Sequence, residues 1–157
     1  ERRGSPWAND ALQRLSFIRE NLDGKGRAEG DYLTALVRVD GGDLDGAEKL
    51  LRGIADVSSE PLADDARMLL GGLRAERGDP AGAVAIWEGL AADMPDSLLA
   101  PEAMLRAADT RRDALGDLPA ARRSLEALVQ GYPDSAAADQ ARQLLDTMPG
   151  GSAESGE

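Results

Sequence analysis

The sequence contains no cysteine and no histidine. Disulfides, thiolate nucleophiles, imidazole bases and the commonest zinc ligands are excluded together. Aromatic residues are almost as scarce: Trp7, Phe17, Tyr32, Trp87 and Tyr132 are the full set. Val and Ile are sparse, and no long stretch alternates apolar with polar residues, which leaves little material for a sheet. No apolar run approaches the roughly 18–20 residues of a membrane span, and no apolar core follows Arg2-Arg3 as a secretory signal would require. Positive charge is also short. With 18 basic and 29 acidic residues the net charge is -11, which argues against nucleic acid or an anionic membrane as partner and against direct membrane insertion. Residues 31–100 hold most of that excess, with 6 basic and 14 acidic side chains.

What remains is Ala and Leu in a chain of 157 residues, enough for one domain or a short repeat array. Small side chains favour closely packed helices, so an all-α protein is expected. The first residue is Glu1 rather than methionine, which suggests a removed leader or anchor, or a segment of a longer chain. Residues 149–157 carry no side chain suited to hold them on a surface and are expected to form a flexible tail.

One signature occurs three times: Gly42-Asp43-Leu44-Asp45-Gly46-Ala47, Gly78-Asp79-Pro80-Ala81-Gly82-Ala83 and Gly116-Asp117-Leu118-Pro119-Ala120-Ala121, spaced by 36 and 38 residues. Large apolar residues follow in the same phase: Leu51 and Ile54, Trp87 and Leu90, Leu125 and Leu128. A second marker, Pro-Asp-Ser, stands at Pro95–Ser97 and Pro133–Ser135, again 38 apart. Glycine ends a helix in the left-handed conformation, the next aspartate accepts from free N–H groups of the following helix, and Pro80 fits its first turn. The alanine then lies on the inner face of the second helix, and Pro-Asp-Ser ends that helix and caps the next. This predicts a capping helix over 5–21, helix pairs over 28–40 with 45–57, 61–77 with 80–93 and 98–115 with 118–131, and a last helix over 136–148. The domain plan is an N-terminal cap and loop (1–27), an array of about three pairs with a C-terminal capping helix (28–148) and the tail.

With Gly71 placed 12 residues before Ala83, and with Trp87, Pro95, Leu125 and Pro133 at its large-apolar and proline places, the pattern resembles tetratricopeptide repeats, whose period is about 34 residues. The first repeat departs from it, with Ala35 for the glycine and Ser59 at the proline place. The third has two extra residues, expected in its first helix, so that Asp109 takes the small-residue place and Ala107 and Ala108 must serve. The resemblance implies a right-handed superhelical stack of antiparallel helix pairs. The periods of 36 and 38, with the endings Met94–Ser97 and Gly131–Ser135, resemble in particular the repeats of bacterial envelope proteins of the Tol–Pal and outer-membrane barrel-assembly systems.

Candidate chemistry is thin. Asp40–Gly46 has calcium-loop composition, but with Gly46 as sixth residue the first ligand would be Gly41 and the twelfth Arg52, so the segment reads as a turn with a helix cap. Asn21–Gly26 lacks the Ser or Thr that a Walker loop places after Gly-Lys and reads as an interhelical loop. Asp64 with Asp65, and Asp139 with Asp146, would need a pocket that lifts one pKa to act as acid and base; capping or solvation is the expected state. Arg106, Arg111, Arg112, Arg122 and Arg123 form the densest basic group, and the helical spacing of Asp109 with Arg112 and of Arg122 with Glu126 predicts a salt-bridged face; a site for an acidic partner is the other reading. Trp87 is expected in the core, and Trp7 on the capping helix. No catalytic residue, cofactor or metal is assigned.

The resemblance further implies that the first helices line a concave surface, drawn from Tyr32, Leu36 and Val39, then Asp65, Met68 and Gly72, then Arg106, Thr110 and Asp113. Tyr32 and Met68 suit recognition of a peptide or helix, and Tyr32→Ala is then expected to spare the fold. The function implied is a non-catalytic adaptor that binds another protein or peptide segment, in a bacterial periplasm or envelope complex. A structural or self-associating subunit of a membrane-associated complex, and a recruitment domain of a longer protein, are the other readings.

Overall fold

The computed structural model describes residues 27–57 and 62–149. The capping helix predicted over 5–21, Trp7, the 21–26 loop, Ser59 and the tail after Pro149 lie outside them. Among the described residues there are seven helices and no strand: α1 (Arg27–Gly41), α2 (Leu44–Ala55), α3 (Ala63–Glu76), α4 (Pro80–Asp93), α5 (Ala100–Asp113), α6 (Leu118–Gly131) and α7 (Ala136–Thr147). The chain divides into two compact units, Glu1–Ile86 and Trp87–Glu157, with the division inside α4. In the first unit α2 packs against α1 and α3; in the second, α5, α6 and α7 pack against one another.

The three Gly-Asp turns are built alike. Gly42, Gly78 and Gly116 have φ of 81°, 79° and 66°, where a Cβ would crowd the carbonyl that follows. Asp43 N–H donates to the Arg38 carbonyl at 2.8 Å and Asp79 N–H to the Arg74 carbonyl at 2.9 Å, closing the wide backbone ring of a glycine-terminated helix. The same aspartates then cap the next helix: their carboxylates accept from the N–H of Gly46, Gly82 and Ala120 at 3.0, 2.9 and 2.9 Å. Asp40–Gly46 is thus the turn and cap that its repeat position predicted. Gly78→Ala is expected to destabilise the chain by about 1 kcal/mol, read as a lower urea midpoint at unchanged slope.

In the first two turns the capping aspartate also receives an arginine, Arg38 on Asp43 at 2.7 Å and Arg74 on Asp79 at 2.8 Å. A Cβ at Gly46 would strike both the Arg38 guanidinium and the Asp43 carboxylate, and one at Gly82 the Asp79 carboxylate. The third turn carries Ala120 at this place. There Asp117 N–H reaches back to the Arg111 carbonyl, one residue further, at 2.9 Å, and Arg111 pairs with Glu88 instead.

That longer reach locates one of the two extra residues of the third repeat. α5 and α3 are both 14 residues long, so the insertion does not lengthen the helix as expected: one residue enters the turn after α5, and the other falls ahead of α5, where α4 runs two residues longer than α2 and the loop that follows is one residue shorter. Counted from the helix starts, Ala35, Gly71 and Ala108 then share one place, and all three are buried. Ala107 and Ala108 do serve as the small residues.

The core of the first unit joins Tyr32, Ala35, Leu36 and Val39 of α1 to Ala47, Leu51 and Ile54 of α2 and Leu69, Leu70 and Leu73 of α3. In the second unit Leu105 and Ala108 meet Ala121, Leu125, Leu128, Ala137 and Ala141. The predicted inner-face residues Ala47, Ala83, Ala121, Leu51, Trp87 and Leu125 are all buried. The Pro-Asp-Ser markers act differently from each other. Ser135 caps α7, its hydroxyl accepting from Ala138 N–H at 3.1 Å, whereas Ser97 accepts from Leu99 N–H at 3.0 Å and α5 begins only at Ala100, with Pro101 in its first turn. The Tyr132 hydroxyl ties the two loops together by donating to the Pro95 carbonyl at 3.0 Å.

Candidate protein-interaction site

Helical periodicity places Tyr32, Leu36 and Val39 on one face of α1, and the fold buries that face: they are 1 %, 3 % and 5 % exposed and belong to the core. Asp65, Met68 and Gly72 of α3 are buried as well. In the first unit, therefore, the residues expected on a concave surface offer no free area to a partner. The reason is packing: large apolar side chains at that spacing cover more area by meeting neighbouring helices than by waiting for a ligand. In the second unit the expected set is accessible. Arg106 and Thr110 are half-buried and Asp113 exposed, in sequence along α5; Arg106 pairs with Glu102 at 2.8 Å.

The arginine-rich segment forms the salt-bridged face in part as predicted. Arg112 bonds Asp109 at 3.0 Å and Asp113 at 2.7 Å. Arg111 forks onto Glu88, with its Nη2 bond at 2.8 Å, and also reaches the Ser124 hydroxyl at 2.7 Å. Arg122 departs from expectation: rather than Glu126 it meets the Met148 and Pro149 carbonyls, each at 3.2 Å, and so closes the C-terminal end of α7. Of the carboxylate pairs, Asp64 accepts from Asp65 N–H at 2.9 Å at the start of α3, and Asp139 pairs with Arg142 at 2.7 Å while Asp146 is exposed. Asp139 and Asp146 thus have the surface role expected, whereas Asp65 is buried rather than solvated, and no side chain caps the start of α3.

A second cluster lies in the first unit and was not anticipated from the sequence. A cleft of about 510 Å³ is lined by Asp45, Glu48, Lys49 and Arg52 of α2, Arg74 of α3, Arg77 just beyond it, and Asp79. Glu48, whose side chain is 15 % exposed, is its hub, receiving Arg52 at 2.8 Å, Arg74 at 2.6 Å and Arg77 at 3.4 Å. Arg77 also meets Asp45 at 2.6 Å. Arg74 Nε is buried without a hydrogen-bond partner, since the fork is turned to serve Glu48 and Asp79 with its other two nitrogens. The only signal for this cluster in the sequence was the 29- and 32-residue separation of its ion pairs, close to one repeat.

Charges at the turns shift with their partners. The Gly82 N–H, and after it Arg74, hold the Asp79 carboxyl below its ordinary range. Arg112 lowers Asp113 in the same way, while burial pushes Asp109 up against the opposing pull of Arg112. For Asp79 and Asp113 the folded pKa lies below the unfolded one, so their stabilisation is present above the ordinary carboxylate range, near pH 4, and is lost as pH falls through the folded value. Asp109 has the opposite sign. Asp79→Asn keeps the cap and removes the charge; its stability deficit against wild type is expected to be largest at neutral pH and to vanish in acid, measured by urea unfolding across that range.

A family model described as tetratricopeptide repeat matches residues 102–135, the segment that runs from the first turn of α5 through α6 to the cap of α7. Comparison with curated proteins gives no match. The match supports the tetratricopeptide class for the hairpin it covers. Such repeats generally mediate protein–protein interaction and are typically non-catalytic. No described helix is long and apolar enough to cross a membrane.

Proposed function

We propose that this chain is a non-catalytic repeat scaffold that holds another protein, in the periplasm or at the envelope of a bacterium. The observation that carries the scaffold reading is the tetratricopeptide match on the α5–α6 hairpin, together with the recurrence of its Gly-Asp turn and cap at Gly42-Asp43 and Gly78-Asp79. The envelope setting is supported by the 36- and 38-residue periods and by the Pro-Asp-Ser endings at Pro95–Ser97 and Pro133–Ser135.

Affinity capture with crosslinking from source-cell extract tests the reading. The wild-type chain is compared with a Thr110→Arg, Asp113→Arg double variant, whose fold is checked by circular dichroism; both positions lie at the accessible end of α5. Retention of a distinct protein by wild type and its loss from the variant supports the scaffold and places the contact on α5. Recovery of copies of the chain alone overturns it in favour of a self-assembling subunit. Release of the tagged product of the complete native reading frame with the periplasmic fraction supports the envelope setting, and its retention with cytosolic markers overturns that part.

A further inference from the structure

Residues 31–100 are the acidic part of the chain, yet five of their six basic residues converge on one helix. Arg38, Lys49, Arg52, Arg74 and Arg77 line two adjacent cavities, the cleft described above and a second of about 400 Å³ lined by Asp31, Arg38, Gly46, Lys49, Leu50 and Gly53. The sixth, Arg67, donates Nε to the Ala55 carbonyl at 3.0 Å. Lys49 is common to both cavities and has no ion-pair partner among the described residues. Arg52 shares its Glu48 oxygen with Arg74. The cations along this side of α2 outnumber the carboxylates that line the same cavities, and Lys49 and Arg52, the latter with one carboxylate that it shares with Arg74, project from exposed positions.

We propose that this side of α2 is a docking surface for an acidic peptide segment of a partner protein, with Lys49 at its centre and Arg52 beside it as the carboxylate-binding pair. The inference rests on the protein-scaffold reading and names the chemistry of the partner. Three features select an extended chain over a single small anion. The cavities lie on both sides of Lys49, so charges spaced along a strand can be met in turn. Gly46, Lys49, Leu50 and Gly53 fall on one helical face, and at Gly53 a Cβ would meet open space, so a backbone can approach the helix there. Half-buried Leu50 supplies an apolar contact between the charged places. Arg74 and Arg77 are held by Glu48, Asp45 and Asp79, and because Arg74 meets the same Glu48 oxygen, Arg52 can exchange that contact for a carboxylate of the ligand beside Lys49. An arginine fork donates two N–H groups to a carboxylate, and lysine meets it as a point charge.

The probe is a hexaglutamate peptide blocked at both ends, titrated into the isotopically labelled chain and followed by backbone amide shifts, with hexaglutamine and inorganic phosphate as parallel titrants. The expected result is saturable movement of the Gly46, Lys49, Leu50 and Gly53 amides with hexaglutamate, weakened by added salt, and little movement with hexaglutamine. The Lys49→Gln, Arg52→Gln variant is expected to bind roughly fivefold more weakly with unchanged melting, because both side chains are exposed, and Lys49→Arg to retain binding. Shifts that map to another surface, binding unaffected by the double substitution, or saturation by phosphate with none by the peptide would each overturn the proposal. A chain that captures a partner from extract but ignores hexaglutamate refutes the acidic-peptide surface and leaves the scaffold reading standing; failure of capture with peptide binding intact does the reverse.

Discussion

Replacing Trp87 by alanine is expected to destabilise the chain by roughly 3–5 kcal/mol, through the loss of its buried area and the cavity left behind. Trp87 is 1 % exposed and is among the largest fully buried side chains. It lies on α4 beside buried Ala83, Val84 and Leu90, a face with little freedom to collapse into the space vacated. For a chain of this size a loss of that order lowers the melting midpoint by about 10 °C, readable by circular dichroism. It is also a large part of the roughly 5–15 kcal/mol that holds an ordinary domain folded. Trp87→Phe, which keeps a ring on the same face, is expected to recover much of the loss. A Trp87→Ala protein as stable as wild type would contradict the repeat register, since that register puts a large apolar residue four positions after Ala83.

Tyr32→Ala is the second large effect, and its sign reverses the expectation drawn from the resemblance. Tyr32 is 1 % exposed in a cluster with Leu36, Val39, Leu51 and Leu73. Truncating it removes an aromatic ring from three packed helices and is expected to cost roughly 3 kcal/mol or more. Urea unfolding of Tyr32→Ala beside Tyr32→Phe separates the ring from the hydroxyl: the phenylalanine variant is expected to keep most of the stability. Should Tyr32→Ala melt with wild type, the burial of the α1 face would be refuted and the open-groove reading restored. Partner capture by Tyr32→Ala, by the same reasoning, reports on folding before it reports on binding. Thr110 and Asp113 are better probes because their side chains are not in the core.

The helices were legible because their signals are local. Gly42, Gly78 and Gly116 end helices through the conformation of a single residue, and Asp43, Asp79, Asp117 and Ser135 cap through bonds three residues long. Such interactions are complete within one turn of chain, so their spacing in the sequence carries the helix boundaries and the phase of the inner face. Ala47, Ala83 and Ala121 follow from the same count, and so does the burial of Trp87.

Tertiary structure decided what periodicity leaves open. Apolar spacing marks a face of α1 without saying whether solvent, a partner or another helix covers it; packing against α2 and α3 gives Tyr32, Leu36 and Val39 to the core. Helical spacing offered Glu126 to Arg122, but the carbonyls ending α7 lie closer and have no helical donors of their own. The convergence of Lys49, Arg52, Arg74 and Arg77 around Glu48 depends on how α2 meets the end of α3, across 22 to 29 residues of sequence. Capping and turn energies act over three to six residues and are written in the order of the chain. Burial and charge convergence act through space, and only the packed helices determine which side chains they join.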